Sequence, residues 1–255
     1  TRTRCDRQLL EGSRVQFIPT ATIGFDHIDT AYLQEAGISW TNCPGCNAAS
    51  VGQYLRSTLL LLARDHGLDL QAATLGIVGC GHVGSEVLSA ARELGMRILV
   101  CDPLATPRED VEWVTQDVIE READVITFHV PLTHDGPCPT WHLADQAFFG
   151  RLRRRPFVVN TSRGPVVDDD ALLQALNEGL VRQAVIDTWE HEPHISLPLL
   201  DKVYIGTPHI AGYSADGKVN ADNMALEALC RHFHLPRPHR IVPPALPADF
   251  IYTGD

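Results

Sequence analysis

Gly79-Cys80-Gly81-His82-Val83-Gly84 is the stretch on which the reading of this chain turns. An apolar run, 74–78, precedes it, and a helix-like run, 87–94, follows it. A second apolar run, 97–101, then ends at Asp102. Strand, glycine loop, helix, strand and acid is the order of a dinucleotide-binding unit. Gly79 permits the tight turn, Gly81 lets backbone approach a pyrophosphate, and Gly84 lets the helix pack closely on the strand. His82 and Val83 belong to the same cofactor-binding loop, and the first N–H groups of the helix that follows, with its dipole, favour negative phosphates. Asp102 follows at the distance from which a carboxylate accepts hydrogen bonds from a ribose diol. Asp102 favours NAD, since it would repel a 2′-phosphate, while Arg108 nearby keeps NADP as the lesser alternative.

Outward from this loop the chain alternates. Strand-like runs fall at 74–78, 97–101, 124–128, 156–160, 183–186 and 203–205. Helix-like runs fall between most of them, at 85–94, 118–122, 144–152 and 170–177. Short apolar strands alternating with helices imply an α/β fold with a parallel sheet covered on both faces. The expected architecture is a Rossmann-type doubly wound sheet over 70–208. Residues 1–69, with strand-like 15–19 and 38–41 and helix-like 29–36 and 48–66, read as a second, smaller substrate lobe. Residues 209–240, with a helix over 221–233, return to that lobe. Residues 241–255 read as the start of a Pro-rich linker.

Composition narrows the function classes. At 255 residues, 44% hydrophobic and 21% charged, the chain can bury a substantial core. A net charge of -11 disfavours a broad nucleic-acid or anionic-membrane surface. The most apolar stretch, 59–63, is flanked by Arg56 and Arg64 and is too short for a membrane span. Seven scattered cysteines suit a reducing, cytoplasmic location better than a disulfide framework. Cys43-Pro44-Gly45-Cys46 lacks the second ligand pair a zinc site needs and the thioredoxin-like context of a redox pair, so it reads as a loop in preference to either. His191-Glu192-Pro193-His194 is not HExxH, and Pro193 spoils a helical metal-binding face. No metal is expected.

Three later segments stand at strand ends: Asn160-Thr161-Ser162-Arg163-Gly164, Asp187-Thr188-Trp189-Glu190-His191-Glu192-Pro193 and Thr207-Pro208-His209-Ile210-Ala211-Gly212. Each should emerge on the nucleotide side of the sheet. Together they supply Arg163, Glu192 and His209. That set suits oxidation of a 2-hydroxy acid. A planar, permanently charged guanidinium clamps the substrate carboxylate. A histidine takes the hydroxyl proton, and a carboxylate beside its ring holds the tautomer and stabilises the imidazolium. The structural alternatives are an Arg163–Asp168 ion pair, a surface Glu192 before a proline turn and a core His209.

These segments resemble the D-isomer-specific 2-hydroxyacid dehydrogenases. The resemblance implies catalytic roles for Arg163, Glu192 and His209. It places Asp102, Thr161, Ser162, Asp187 and Gly212 in the cofactor site, with Val130 contributing backbone, and Thr1, Thr22 and Tyr213 at the substrate. Phe25 stands where the pattern has a small Thr. The second lobe is expected to be flavodoxin-like and incomplete, with its first βα units and a C-terminal dimerisation domain lying outside this chain; a homodimer is the expected assembly. The expected substrate is a small anionic phosphorylated 2-hydroxy acid, 4-phospho-D-erythronate, drawn from further likeness at 20–29, 43–48, 131–137 and 210–214. The alternatives are 3-phosphoglycerate or glycerate, or a non-catalytic NAD(H)-sensing protein of the same fold.

Overall fold

A computed structural model describes residues 3–236 and 239–245. The chain divides into two compact units, one from 48–212 and one from the described residues of 1–47 and 213–255. The boundaries expected from the alternation, 69/70 and 208/209, therefore differ from the observed ones. The cause is the helix over Ala48–His66. Its apolar face, Val51, Leu55, Leu59 and Leu62, packs into the same core as Leu75, Ile77 and Val100 of the nucleotide unit. Burying each such side chain contributes about 1.5–3 kcal/mol, so the helix stays with the sheet it covers.

The smaller unit holds α1 (Arg7–Leu10), β1 (Phe17–Pro19), α2 (Thr30–Glu35) and β2 (Ser39–Thr41), and ends with a helix over Ala215–His232. Strands β1 and β2 pair in parallel, Phe17 opposite Ser39. Asp29 caps α2 by accepting from Tyr32 N at 2.9 Å. The last helix begins six residues before the expected 221. Ser214 caps it by accepting from Gly217 N at 3.0 Å, which offsets the low helix propensity of Gly217.

In the larger unit α3 is Ala48–His66, followed by β3 (Thr74–Val78), α4 (His82–Glu93), β4 (Arg97–Cys101), β5 (Glu112–Trp113), α5 (Gln116–Glu122) and β6 (Val125–Phe128). Then come α6 (Gln146–Arg151), β7 (Phe157–Asn160), α7 (Asp169–Glu178), β8 (Gln183–Ile186), α8 (Leu197–Leu200) and β9 (Ile205–Gly206); the Ala215–His232 helix is α9. All seven strands of this sheet run parallel, in the order β5-β4-β3-β6-β7-β8-β9. One face buries Leu75, Ile77, Val100, Val125 and Val159 under α3 and α4. The other buries Val78, Ile126, Phe128 and Val158 under α5, α6 and α7. Strands β3, β6 and β7 are buried on both faces, which is why they read as unbroken apolar runs. Short elements escape a reading by period. β5 and α8 are two and four residues long, too short to show one.

The strand order reverses between β3 and β6, so a crevice opens at their carboxyl ends. Gly79 leaves β3 there with φ +89°, a conformation that only glycine adopts freely.

Candidate active site

The glycine loop is shaped by what its residues lack. A Cβ on Gly84 would stand 2.2 Å from Gly79 O, and one on Gly79 would stand 2.7 Å from His129 O. A Cβ on Gly81 meets nothing within 4 Å, so that position faces open space. Gly81 is also the N-cap of α4, and no side chain caps that helix. The first N–H groups of α4, from His82, Val83 and Gly84, have no partner inside a helix. His82 is exposed, whereas Val83 packs on the core beneath. Asp102 Oδ2 accepts from Cys80 N at 2.8 Å, and Oδ1 accepts from Leu104 N and Ala105 N at 3.1 Å. The acid thus ties the end of β4 to the glycine loop while keeping spare lone pairs. Open space over Gly81, uncapped N–H groups and a neighbouring carboxylate fit a dinucleotide: pyrophosphate over 81–84, ribose at Asp102.

At the end of β6, Val130 lies against Gly79, whose hypothetical Cβ would come within 2.7 Å of Val130 Cγ1. The neighbouring His129 bonds Thr127 Oγ1 at 2.9 Å and Thr161 Oγ1 at 3.5 Å through its two ring nitrogens. Burial pushes His129 down to about 3, so it stays neutral at physiological pH. No motif marks it, and from sequence it reads as one more structural histidine.

The loop after β7 is folded by Asn160. Its Oδ1 accepts from Ser162 N at 3.1 Å and Ser162 Oγ at 2.9 Å, and its Nδ2 donates to Arg163 O at 2.9 Å. Arg163 Nη1 donates to Ser162 O at 2.7 Å. Gly164 then runs against the next loop so closely that a Cβ would fall 1.9 Å from Trp189 O.

The loop after β8 holds Glu192. Trp189 N donates to Glu192 Oε1 at 2.9 Å, and Trp189 Nε1 donates to Thr207 O at 2.9 Å. Asp187, 1% exposed, organises the segment after β9. Its Oδ1 accepts from Thr207 Oγ1 at 2.6 Å and Ile210 N at 2.7 Å, and its Oδ2 accepts from Ala211 N at 2.9 Å. Tyr54 OH meets Thr207 Oγ1 at 2.7 Å. His209 N donates to Asp187 O at 2.8 Å, with His209 in the left-handed region at φ 58°.

So oriented, His209 Nδ1 lies 3.0 Å from Glu192 Oε2. Burial of the Glu192 carboxyl opposes its ionisation. Hydrogen bonds from His209 and Trp189 N, with the charges of His209 and Arg163, outweigh burial and hold its pKa below the usual carboxylate value. An ionised carboxylate fixes the ring tautomer, leaving Nε2 to accept a proton. The His209 side chain is 48% exposed, so it is no core histidine. Arg163, Glu192 and His209 are thus brought together by three consecutive strand ends. Gly212 closes this segment.

Thr22 and Tyr213 belong to the other unit. Thr22 Oγ1 donates to Gly24 O at 2.7 Å and meets Thr20 Oγ1 at 2.7 Å, so its hydroxyl stabilises its own loop. Tyr213 is exposed, with Lys218 Nζ 3.7 Å from its ring centroid. A hydrogen bond with Lys218 and its charge lower the Tyr213 phenol pKa. Phe25 is half exposed and packs on Trp40 at 5.0 Å between centroids. Thr1 lies outside the described residues. Cys43 and Cys46 are buried beside Ala221. Burial and the neighbouring Cys46 push the Cys43 thiol up to about 11, which disfavours its thiolate.

Beside the Glu192 loop, among the described residues, His142, Asp168 and Glu190 place donor atoms within 4.8 Å of one another. The ring faces one carboxylate with each nitrogen, Nε2 to Glu190 Oε1 at 2.7 Å and Nδ1 to Asp168 Oδ2 at 3.4 Å. The first of these contacts is a hydrogen bond and the second only an ion-pair distance. Asp169, 7% exposed, is raised to about 7 by burial and then by the charge of Glu190. Among the described residues, no helix is long and apolar enough to cross a membrane.

Residues 52–211 match the NAD-binding domain of the D-isomer specific 2-hydroxyacid dehydrogenases. The erythronate-4-phosphate dehydrogenase of Bacteroides fragilis strain YCH46 is 57% identical over 255 residues, which are 100% of this chain and 73% of that protein. The enzyme of the same name from Bacteroides thetaiotaomicron is 53% identical over 259 residues, 100% of this chain and 74% of that protein. Among solved structures, D-lactate dehydrogenase from Aquifex aeolicus, complexed with NAD and lactic acid, superposes with a TM-score of 0.75 at 26% identity, covering 87% of this chain and 77% of that one.

Proposed function

This chain belongs to the D-isomer-specific 2-hydroxyacid dehydrogenases, and within that NAD-dependent family we propose that it oxidises 4-phospho-D-erythronate to 2-oxo-3-hydroxy-4-phosphobutanoate, a step of vitamin B6 biosynthesis. The observation that carries the chemistry is the 3.0 Å contact between His209 Nδ1 and Glu192 Oε2 at the carboxyl edge of the sheet. With Nδ1 so engaged, His209 Nε2 takes the proton of the substrate C2 hydroxyl. Glu192 stabilises the imidazolium that results. Arg163 pairs with the substrate carboxylate and orients the reacting carbon. Bound NAD+ supplies the acceptor for the hydride leaving C2. The products balance as the 2-oxo acid, NADH and one proton.

Residues 81–84 hold the pyrophosphate and Asp102 the ribose diol. Thr161, Ser162, Asp187, Val130 and Gly212 complete the cofactor side. Asp187 Oδ2, which accepts one hydrogen bond from Ala211 N, has a lone pair left for a carboxamide N–H. Thr1, Thr22 and Tyr213 serve the substrate. The proposal includes a cytoplasmic homodimer that uses neither nucleic acid nor membrane. The odd set of cysteines, none paired among the described residues, and the acidic charge support that setting.

The test is the initial rate of NADH formation with four acids: 4-phospho-D-erythronate, unphosphorylated D-erythronate, 3-phosphoglycerate and glycerate. The expected result is a kcat/KM at least about tenfold higher for 4-phospho-D-erythronate than for the others. A preference for 3-phosphoglycerate or glycerate would move the assignment to that acid. Tight NADH binding with no turnover on any acid would favour a sensor.

A further inference from the structure

His142 belongs to no recognised motif, yet it touches both loops that carry the proposed catalytic side chains. Its backbone N donates to Pro165 O at 2.7 Å. Two residues on, Ala144 N donates to Val166 O at 3.0 Å, and Asp168 N donates to Ala144 O at 3.1 Å. The stretch 142–144 is therefore zipped to the chain that follows Arg163. The ring reaches elsewhere, to Glu190 Oε1 at 2.7 Å. Glu190 lies two residues before Glu192, in the turn closed by Trp189 N on Glu192 Oε1. The second ring nitrogen faces Asp168, whose Oδ1 accepts from Asp170 N and Ala171 N at 3.0 Å and caps α7.

The ring is held in place. His142 sits in the left-handed region at φ 49°, and Trp141 stacks on it with centroids 3.8 Å apart. Glu190 is buried, so its carboxylate needs a donor; its Oε2 meets Asp169 N at a long 3.5 Å. The groups that face the ring are acidic, Glu190 at Nε2 and Asp168 at Nδ1; Asp169 in turn meets Glu190, and His191 acts on Asp169.

We propose that His142 is a positioning residue for the dehydrogenation. Its backbone is anchored to the Arg163 segment and its ring to the Glu192 loop, so it fixes the spacing of those two side chains. The inference rests on the proposed roles of Arg163 and Glu192. It adds a residue that contacts neither the proton in flight nor the cofactor site and acts through Glu190 on Glu192. Releasing Glu190 loosens the turn that aims Glu192 at His209. A misplacement near 1 Å in such a set costs on the order of 100-fold in rate.

The experiment compares His142→Ala, Glu190→Ala and Glu190→Gln with the unsubstituted protein. Glu190→Gln keeps an oxygen that accepts from His142 Nε2, whereas Glu190→Ala removes it. The carboxyl titration of Glu192 is followed by NMR on protein carrying 13C-labelled glutamate, and kcat and KM are measured across pH. The expected result is a Glu192 titration moved upward, toward the ordinary carboxylate value, in both alanine variants. In those variants kcat falls at least about tenfold while KM for NAD changes less than about twofold. Glu190→Gln should recover most of both properties. A folded His142→Ala protein with unchanged Glu192 titration and kcat would overturn the proposal. So would equal behaviour of the two Glu190 variants, which decides the matter even where His142→Ala fails to fold. The titration needs no turnover, so a protein inactive on every acid tested would count against the proposed function and still leave the role of His142 decided.

Discussion

A methyl group on Gly84 would stand 2.2 Å from Gly79 O, inside the packing of a helix on a strand. Glu192 meets His209 across 3.0 Å with both side chains more than a third exposed. The two regions lie at the same edge of one sheet but are built differently. The glycine loop is made of backbone, and its tolerance is set by hard contact. The proposed reacting region is made of side chains held by hydrogen bonds, so it degrades by steps when one bond is removed. The first should therefore fail all at once and the second by measurable fractions.

Gly84→Ala is the most severe way to probe that difference. Its Cβ meets a backbone carbonyl that cannot move without dragging β3, so several kcal/mol of strain or a displaced α4 is expected. NADH binding, read by fluorescence, should be lost, and the unfolding midpoint should drop. A Gly84→Ala protein that binds NADH normally would erase the contrast. Glu192→Gln keeps the shape and one hydrogen bond but removes the charge. A fall in kcat of about 100-fold with NADH affinity nearly intact is expected. It should also narrow a stability gap with pH. The folded pKa of Glu192 is depressed, so its ionised form stabilises the protein above the ordinary carboxylate value, about 4, and that contribution disappears as pH falls through the lowered pKa. Equilibrium unfolding of the two proteins should differ at pH 7 and converge only as pH falls below the lowered pKa.

Smaller effects come from single charges. Asp102→Asn retains an acceptor for Cys80 N but removes the repulsion of a 2′-phosphate. The ratio of kcat/KM for NAD over NADP should fall by about tenfold. Asp169→Asn is expected to be the mildest. The folded pKa of Asp169 is raised to about 7, so the native state holds that proton longer than the unfolded chain does. The resulting stability is full below about pH 4 and is lost as pH rises through about 7. The Asn variant should then gain about 1 kcal/mol over the unsubstituted protein at pH 8 and nothing at pH 4, measured by denaturant unfolding.

The same contrast explains what could be read in the sequence. A backbone-built site is written in glycines and apolar runs, so the loop 79–84, the strands at 74–78, 97–101 and 183–186, and Asp102 could be found by pattern. Arg163, Glu192 and His209 were legible because each follows an apolar run whose end the sheet brings to one edge. What escaped depends on contacts between distant residues. The link from His142 to Glu190 joins positions 48 apart, and the bonds from Asp187 to Thr207, Ile210 and Ala211 fold a segment about 20 positions away. Neither leaves a period in the chain. The helix α3 is legible from end to end, yet the unit it belongs to is not. Its amphipathic face shows that it must pack on something, not on which sheet.

The most direct test of the proposed chemistry is NADH formation from 4-phospho-D-erythronate by the unsubstituted protein and by His209→Asn, with NADH binding measured on both. Removal of the proton acceptor should lower kcat by about 1,000-fold and leave NADH affinity within about threefold. Equal turnover by the two proteins would contradict the assignment of His209 as the base, and with it the role given to the Glu192 contact.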